Sequence, residues 1–219
     1  MTYDACPAKQ TLSRRAALGA LIGLAATAVA RAQDRAQMPE LKPYVEVAPV
    51  AGDEAVVRVF FSPNCAYSRQ YFQFFRNLEA TLPKNRQFIF SPVVNRGDGI
   101  AYALAFEAVR QSFPQYLDNF VDASFQGAQD HGLRTDTWAG IDRIGKAAHV
   151  PQSVPRLVAA LRHDVDQAVA KAIVRQKALK ITNTPSVSVA GTYIVTPELT
   201  NGDMRMFSQL INGVITMSI

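Results

Sequence analysis

The sequence predicts an α/β fold in which a mixed central sheet is interrupted by a helical insertion. Two observations support this prediction. A β-α-β pattern over residues 55–94 is followed by helical periodicity from about 99 to 180, and a β-β-α pattern then ends the chain. A helical crossover between strands favours parallel pairing, whereas a two-residue connection such as Gly191-Thr192 favours an antiparallel hairpin. The sheet should therefore contain both kinds of pairing.

Five segments have the pattern of β-strands. Residues 44–50 alternate apolar and polar side chains, which is typical of a half-buried strand. Residues 55–61, AVVRVFF, are almost continuously apolar, as in a central strand that is buried on both faces. The other three strands are predicted at 87–94, 186–190 and 193–195.

Helical periodicity marks six further segments. The first begins at Cys65, directly after the buried strand, and continues to about Leu82. Four alanine-rich segments form the insertion, and a last helix follows the hairpin, where Asn201 or Asp203 can cap it. These five helices are predicted at 101–112, 114–125, 137–148, 154–179 and 202–214.

The first 32 residues have the order of a cleavable export signal. The pair Arg14-Arg15 precedes an apolar run over residues 16–30, which ends in the small residues Ala30 and Ala32. The run is shorter than the roughly 20 residues that cross a bilayer as a helix. We expect a twin-arginine-like signal to the periplasm, with cleavage after Ala32. The general secretion route is the alternative, because Ala17 stands where twin-arginine signals carry a large apolar residue.

Charge and composition exclude some partners. The net charge is +5, but the predicted signal holds Lys9, Arg14, Arg15 and Arg31 against Asp4 and so accounts for +3 of it. No run of Lys and Arg is interleaved with aromatic residues, so we expect no nucleic-acid partner. With 48% hydrophobic residues in the whole chain, residues 33–219 can form one globular domain that contains the insertion.

After cleavage the chain holds a single cysteine. Cys6 lies within the predicted signal, whereas Cys65 begins a helix. The free N–H groups of a first helical turn and the helix dipole favour a thiolate over a thiol. An unpaired, activated thiol in an oxidising compartment indicates thiol-disulfide exchange. A buried, inert cysteine is the alternative interpretation.

Two motifs resemble those of the DsbA family of thiol-disulfide oxidoreductases. They are FFSPNCAYS around Cys65 and NTPSVSVAGTY around Thr184-Pro185, within a similarity that extends from about Tyr44 to Ile219. The resemblance implies a thioredoxin fold with a helical insertion and a periplasmic location. It further implies that Cys65 is the nucleophile and that Pro185 is a cis-proline, with Tyr67, Thr184 and Pro185 binding an extended substrate segment.

Three positions depart from the pattern of that family. Ser68 replaces the second, resolving cysteine, so no disulfide can form within the motif Cys65-Ala66-Tyr67-Ser68. Tyr67 stands where many relatives have a histidine, and Val59 stands where many have a buried acid. Stabilisation of a Cys65 thiolate would then depend on the helix terminus, the Ser68 hydroxyl and Arg69.

These features leave three functions open. The first is a monothiol isomerase or reductase, or a protein that holds clients as mixed disulfides, with Cys65 and Ser68 at its centre. Its partners would be cysteine-containing exported proteins or small thiols, with a membrane redox partner as a further option, and it needs no metal or cofactor. The second is a redox-inactive peptide-binding or assembly module, so whether the chain is an enzyme stays open. The third is an unrelated enzyme, but neither a metal-ligand spacing nor a serine-nucleophile motif surrounds the histidines, His131, His149 and His163.

Overall fold

The computed structural model describes residues 42–95 and 99–218. Over these residues, five strands form one sheet in the order β1-β5-β4-β2-β3. They are β1 (Val45–Glu46), β2 (Val56–Phe61), β3 (Gln87–Pro92), β4 (Ser186–Val189) and β5 (Tyr193–Val195). The β2–β3 pair is parallel and the other three pairs are antiparallel, which confirms the predicted mixed sheet. The predicted signal, with Cys6 and the cleavage position after Ala32, lies outside the described residues.

Seven α-helices accompany the sheet within the described ranges. Helix α1 (Ala66–Thr81) connects β2 to β3, and α7 (Met204–Met217) follows β5. Five helices lie between β3 and β4, where the sequence predicts four. They are α2 (Ile100–Ser112), α3 (Leu117–Asp130), α4 (Trp138–Ala147), α5 (Val154–Ala160) and α6 (Arg162–Ala178). Over the described residues, no helix has the length and apolar character needed to cross a membrane.

Most element boundaries differ from the prediction by a few residues, and two differences are larger. Strand β1 is shorter than 44–50, because its partner β5 begins only at Tyr193, directly after the turn from β4. The helix predicted at 154–179 is broken at Leu161, whose φ of −103° and ψ of 17° leave the helical range. The break lets α5 and α6 pack separately against Leu104 and its neighbours on α2, through Leu157 and Val165 among others.

The hairpin between β4 and β5 turns one residue earlier than predicted. Its central residues are Ala190 and Gly191, with φ of 52° and 63°. The N–H of Thr192 donates to the Val189 carbonyl at 3.2 Å. Positive φ at both central residues is the geometry of a type I′ turn, which matches the twist of antiparallel strands. A Cβ atom at Gly191 would lie 2.9 Å from the Cβ atom of Asp53, so this position requires glycine.

Strand β2 has two faces that are packed differently, because side chains alternate along a strand. Val57, Val59 and Phe61 belong to the main apolar cluster, together with α1, α7 and most helices of the insertion. Phe60 belongs to a smaller cluster on the other face. Burial on both faces fixes the carboxyl end of β2, from which the loop to Cys65 begins.

Candidate active site

Cys65 lies at the junction of β2 and α1. It is the N-cap residue of α1, with φ of −93° and ψ of 116°, and its N–H donates to the Ser62 carbonyl at 3.0 Å. The thiol does not cap the helix. Cys65 is the single free cysteine of the described residues and is partly exposed. Its sulfur is therefore available to groups in front of the helix.

The Thr184-Pro185 segment approaches Cys65 from the other half of the chain. The Thr184–Pro185 peptide bond is cis, as the resemblance implies. Cys65 Sγ donates a hydrogen bond to the Thr184 carbonyl oxygen, 3.1 Å away, across 119 residues of sequence. The pairing of Ser186 with Phe60, at the ends of β4 and β2, brings the two segments together.

Opposing effects act on the pKa of the Cys65 thiol. Burial raises this pKa, because it removes water from the thiolate. The side chain of Thr184, the N–H groups of Ser68 and Tyr67, and the Ser68 hydroxyl lie where they can donate to a thiolate, and they lower the pKa by more than burial raises it. The Thr184 carbonyl favours the protonated form, because it accepts the thiol proton. The net shift of the pKa from burial and the donors is towards the thiolate.

Two hollows adjoin the Thr184-Pro185 segment. The larger, which we call the wide groove, has a volume of about 410 Å³ and is lined by Tyr67, Thr184, Pro185, Pro197, Glu198, Asn201 and Gly202. Tyr67 is 63% exposed and offers its ring to this groove. The smaller hollow, which we call the thiol pocket, has a volume of about 170 Å³ and is lined by Cys65 and Thr184 among others. Thr184 lines both hollows.

Solved structures with the same architecture identify the fold. A variant of Pseudomonas aeruginosa DsbA has a TM-score of 0.67 at 17% identity, over 81% of this chain and 98% of that one. Proteus mirabilis DsbA with the non-covalently bound peptide PWATCDS has a TM-score of 0.64 at 19% identity, over 83% and 97% of the two chains. The protein has the DsbA fold. No family model and no curated protein sequence matches the chain.

Within the DsbA fold, Ser68 is packed as a buried residue of the first turn of α1. It is 1% exposed, and its hydroxyl accepts a hydrogen bond from the Ser62 N–H at 3.3 Å. This bond ties the start of α1 to the end of β2. A serine has no sulfur, so Cys65 is the single thiol of this site in the described residues. All five site residues predicted from the sequence lie together here: Cys65, Tyr67, Ser68, Thr184 and Pro185.

Side chains of the insertion hold the loop before Cys65. Gln129 on α3 donates from Nε2 to the Pro63 carbonyl at 2.8 Å and to the Cys65 carbonyl at 3.2 Å. Asn64 donates from Nδ2 to Thr135 Oγ1 at 3.1 Å. Sequence reasoning missed Gln129 and Thr135, because they lie 64 and 71 residues from their partners and belong to no motif.

Arg69 has a role other than the predicted one. Its guanidinium forms two hydrogen bonds to the Asp130 carboxylate, at 2.6 and 2.7 Å, and these hold the pKa of Asp130 below its usual range. Arg69 is not among the groups that shift the pKa of Cys65. The pair instead links α1 to α3 beside the site. Both side chains are substantially exposed, so the pair contributes little to stability.

The three histidines lie on the insertion, outside this site. His131 and His149 line one hollow of about 330 Å³. His163 lies on α6, where its Nε2 is 2.9 Å from Gln167 Nε2. Across residues 42–95 and 99–218, no group of three or more His, Cys, Asp or Glu side chains could hold a metal ion.

Proposed function

We propose that the protein is an exported, monothiol thiol-disulfide exchange protein that acts through Cys65. The position of Cys65 at the N-terminus of α1, next to the cis Thr184–Pro185 bond, carries the proposal. It places an accessible thiol at a helix N-terminus and beside a groove that can take a peptide. The pKa of this thiol is lowered, and the thiolate is the form that attacks a disulfide. Ser68 stands where a second thiol would be needed for dithiol oxidation.

In the proposed reaction, the Cys65 thiolate attacks one sulfur of a client disulfide. A new S–S bond joins Cys65 to that sulfur, the S–S bond of the client breaks, and the other client sulfur leaves as a thiolate that takes a proton from solvent. Ser68 cannot release the client, so a thiol from elsewhere must do so. Release by another client thiol is isomerisation, and release by a small thiol or a membrane redox partner is reduction.

The wide groove is the proposed site for the client segment. The exposed ring of Tyr67 and the ring of Pro185 offer apolar surface on either side, and Thr184 offers backbone groups to an extended chain. The structure of Proteus mirabilis DsbA with a bound cysteine-containing peptide supports this assignment, since that protein shares the fold. We therefore propose exported proteins with cysteines as the clients.

Trapping with a disulfide peptide tests the proposal. The full chain with Cys6→Ala would be mixed with a peptide that contains one internal disulfide, quenched in acid and analysed by mass spectrometry. We expect a one-to-one covalent adduct at Cys65 that is absent from Cys65→Ser. The proposal is wrong if no adduct forms and the pKa of Cys65 is at or above about 8.5, the value for an unperturbed thiol.

Export belongs to the same proposal. Residues 1–32 have the order of a cleavable signal, and residues 33–219 form the exported domain. Sequencing of the exported protein should begin at Gln33. Replacement of Arg14 and Arg15 by lysine should stop export if the twin-arginine route is used, whereas export that continues unchanged indicates general secretion.

A peptide-binding module without turnover is the second candidate function. The specific observation in its favour is that the Thr184 carbonyl accepts the proton of Cys65, an interaction that favours the unreactive thiol. Tyr67 and Val59 also supply neither an imidazole nor an acid. For such a module, Cys65→Ser would bind the same peptides with unchanged affinity, and the trapping experiment would give no adduct. Equal affinity with a trapped adduct instead selects exchange.

A further inference from the structure

The thiol pocket differs from the wide groove in size and chemistry. Its volume of about 170 Å³ lies below the roughly 300 Å³ of pockets for drug-sized ligands. Its polar lining consists of neutral hydroxyl and amide side chains, which are Ser62, Asn64, Asn95, Gln176, Thr182 and Thr184, with no ionised side chain among them. The wide groove, in contrast, holds the carboxylate of Glu198.

The two hollows also lie on different sides of the Thr184-Pro185 segment. The thiol pocket is bounded by Val93 and Ile181, which belong to the small apolar cluster beside Phe60. The wide groove lies against α1 and the segment before α7, through Tyr67 and Gly202. A client segment that occupies the wide groove therefore leaves the thiol pocket open, and Cys65 lines the pocket that stays open.

We propose that the thiol pocket binds the small polar thiol that releases a client from Cys65. This inference rests on the exchange function proposed above, and it assigns a place to the second reactant. The occupant is a thiol of about the size of free cysteine, whose amino and carboxylate groups can bond to the hydroxyl and amide side chains of the pocket. The described residues of the lining include no carboxylate that would repel an incoming thiolate.

The geometry also determines which sulfur is attacked. A thiolate in the thiol pocket meets Cys65 Sγ and not the client sulfur on the other side of Thr184. The S–S bond between Cys65 and the client breaks, a new S–S bond joins Cys65 to the small thiol, and the client leaves as a thiolate that takes up a proton. A second molecule of the small thiol then attacks the first one, which forms the small disulfide and restores the Cys65 thiolate. One client disulfide and two small thiols thus become a client dithiol and one small disulfide.

Thr182 is the position from which the pocket can be blocked. Its side chain lines the pocket and is exposed, so a larger residue there does not disturb the core. Thr182→Tyr fills the pocket, and Thr182→Val removes the hydroxyl while keeping the shape. Ala178→Tyr is the control, because Ala178 is also exposed, lies at the end of α6 and is not among the residues that line the pocket.

The experiment starts from a mixed disulfide that is made chemically between Cys65 of the full Cys6→Ala chain and an activated one-cysteine peptide. This preparation tests the pocket even if Cys65 does not attack client disulfides unaided. Free cysteine or glutathione is added, and the products are quenched in acid and separated by mass. The measured quantities are the release rate and the share of protein that carries cysteine on Cys65.

With cysteine, we expect the first product to be the Cys65–cysteine disulfide, and Thr182→Tyr should slow release about tenfold, as for other steric exclusions. Thr182→Val should slow it by less, and Ala178→Tyr should leave it unchanged. Glutathione is too large for the pocket, so its rate should not depend on residue 182. The inference is overturned if Thr182→Tyr and Ala178→Tyr release the peptide equally fast with cysteine, or if cysteine is found on the peptide and Cys65 emerges free. Failure of the trapping experiment alone would count against the exchange function and not against the pocket.

Discussion

The two loops that meet at the thiol are held in different ways. The loop before Cys65 is held by the insertion, through Gln129 and Thr135. The loop before Pro185 is held by residues close to it in sequence, since Ser186 Oγ donates to the Asn183 carbonyl at 2.6 Å and Asn183 donates to Glu198. Cys65 is thus positioned by the insertion, and the loop before Pro185 by residues near it in sequence. We therefore expect the pKa of Cys65 and the stability of the fold to respond to different substitutions.

A buried ion-pair cluster links β2 to α6, the helix that precedes the loop before Pro185. Asp53, which is 1% exposed, accepts two hydrogen bonds from Arg58 on β2, at 2.9 and 3.3 Å. Arg175 near the end of α6 places its Nε 3.0 Å from the same carboxylate. The chain continues from the end of α6 into the loop that carries Thr184. Asp53 therefore joins β2 to the helix that leads to this loop.

The largest change is expected from Ser68→Cys, which adds a thiol where the first turn of α1 is fixed to β2. If the Cys65 loop is positioned as tightly as its hydrogen bonds indicate, the variant should form an internal disulfide and oxidise a dithiol peptide, whereas the original chain should show no net oxidation. Thiol counting and peptide oxidation measure this. The double change Cys65→Ser/Ser68→Cys is the control, and its single buried thiol should react slowly with thiol reagents. A Ser68→Cys protein that stays reduced in excess oxidised glutathione contradicts the expected geometry.

The next largest effect is expected from Asp53→Ala on stability. Removal of one partner from a buried ion pair leaves uncompensated charge and costs about 3–5 kcal/mol. The free energy of unfolding in denaturant should fall by this amount, while the pKa of Cys65 should not change. Asp130→Ala is the matched control, because it breaks the exposed pair with Arg69 and should cost little. Equal losses in the two variants would mean that the buried Asp53 cluster stabilises the fold no more than the exposed Arg69–Asp130 pair does.

Gln129→Met should change the pKa of Cys65 and lower the stability only slightly, which is the reverse of what we expect for Asp53→Ala. The Pro63 and Cys65 carbonyls lose the amide that bonds to them, so their dipoles oppose the thiolate and the pKa of Cys65 should rise. Stability should fall by only about 1–2 kcal/mol, because two hydrogen bonds with a net value of about 1 kcal/mol each are lost. Thiolate absorbance against pH and denaturant unfolding measure the two effects. Gln126→Met, an exposed change one turn earlier on α3, should alter neither, and a rise in the pKa of Cys65 in both variants would point to a general effect of the helix.

The smallest effect is the dependence of stability on pH that Cys65 itself provides. The pKa of the thiol is lower in the folded protein, so between the folded value and the unfolded value of about 8.5 the folded state binds fewer protons. The stabilisation is fully present above the unfolded value and is lost as the pH falls through the folded value. The free energy of unfolding of the original chain, minus that of Cys65→Ser, should therefore rise with pH up to about 8.5. A flat or falling difference would show that the fold does not favour the thiolate.

Most of the fold could be predicted from local patterns. The buried strand β2, the helix that begins at Cys65 and the Asp203 cap of α7 each depend on neighbouring residues, and the structure confirms all three. The break at Leu161 could not be predicted, because it arises from packing against a distant helix. The shift of the hairpin to Ala190-Gly191 was also missed, because the sequence alone does not show that Asp53 lies against the turn.

The same limit applies to the candidate site, where residues in local motifs could be predicted and their distant partners could not. Cys65 and Thr184-Pro185 stand in short motifs, so their meeting could be expected. Gln129 and Thr135 could not be found in this way, since a polar side chain that bonds to a distant loop leaves no periodic signal. The ion pair of Arg69 could not be predicted either, because its partner Asp130 is another residue of the insertion. Sequence patterns therefore located Cys65, whereas the groups that position it could be found only in the structure.

The serine at position 68 has a kinetic consequence for the proposed exchange. A neighbouring thiol would release a trapped client in a first-order step with a fixed half-life. With Ser68, release is second-order, and the half-life of the covalent complex is inversely proportional to the concentration of outside thiol. How long a client stays attached would then report the thiol content of the surrounding compartment, with no separate sensor domain.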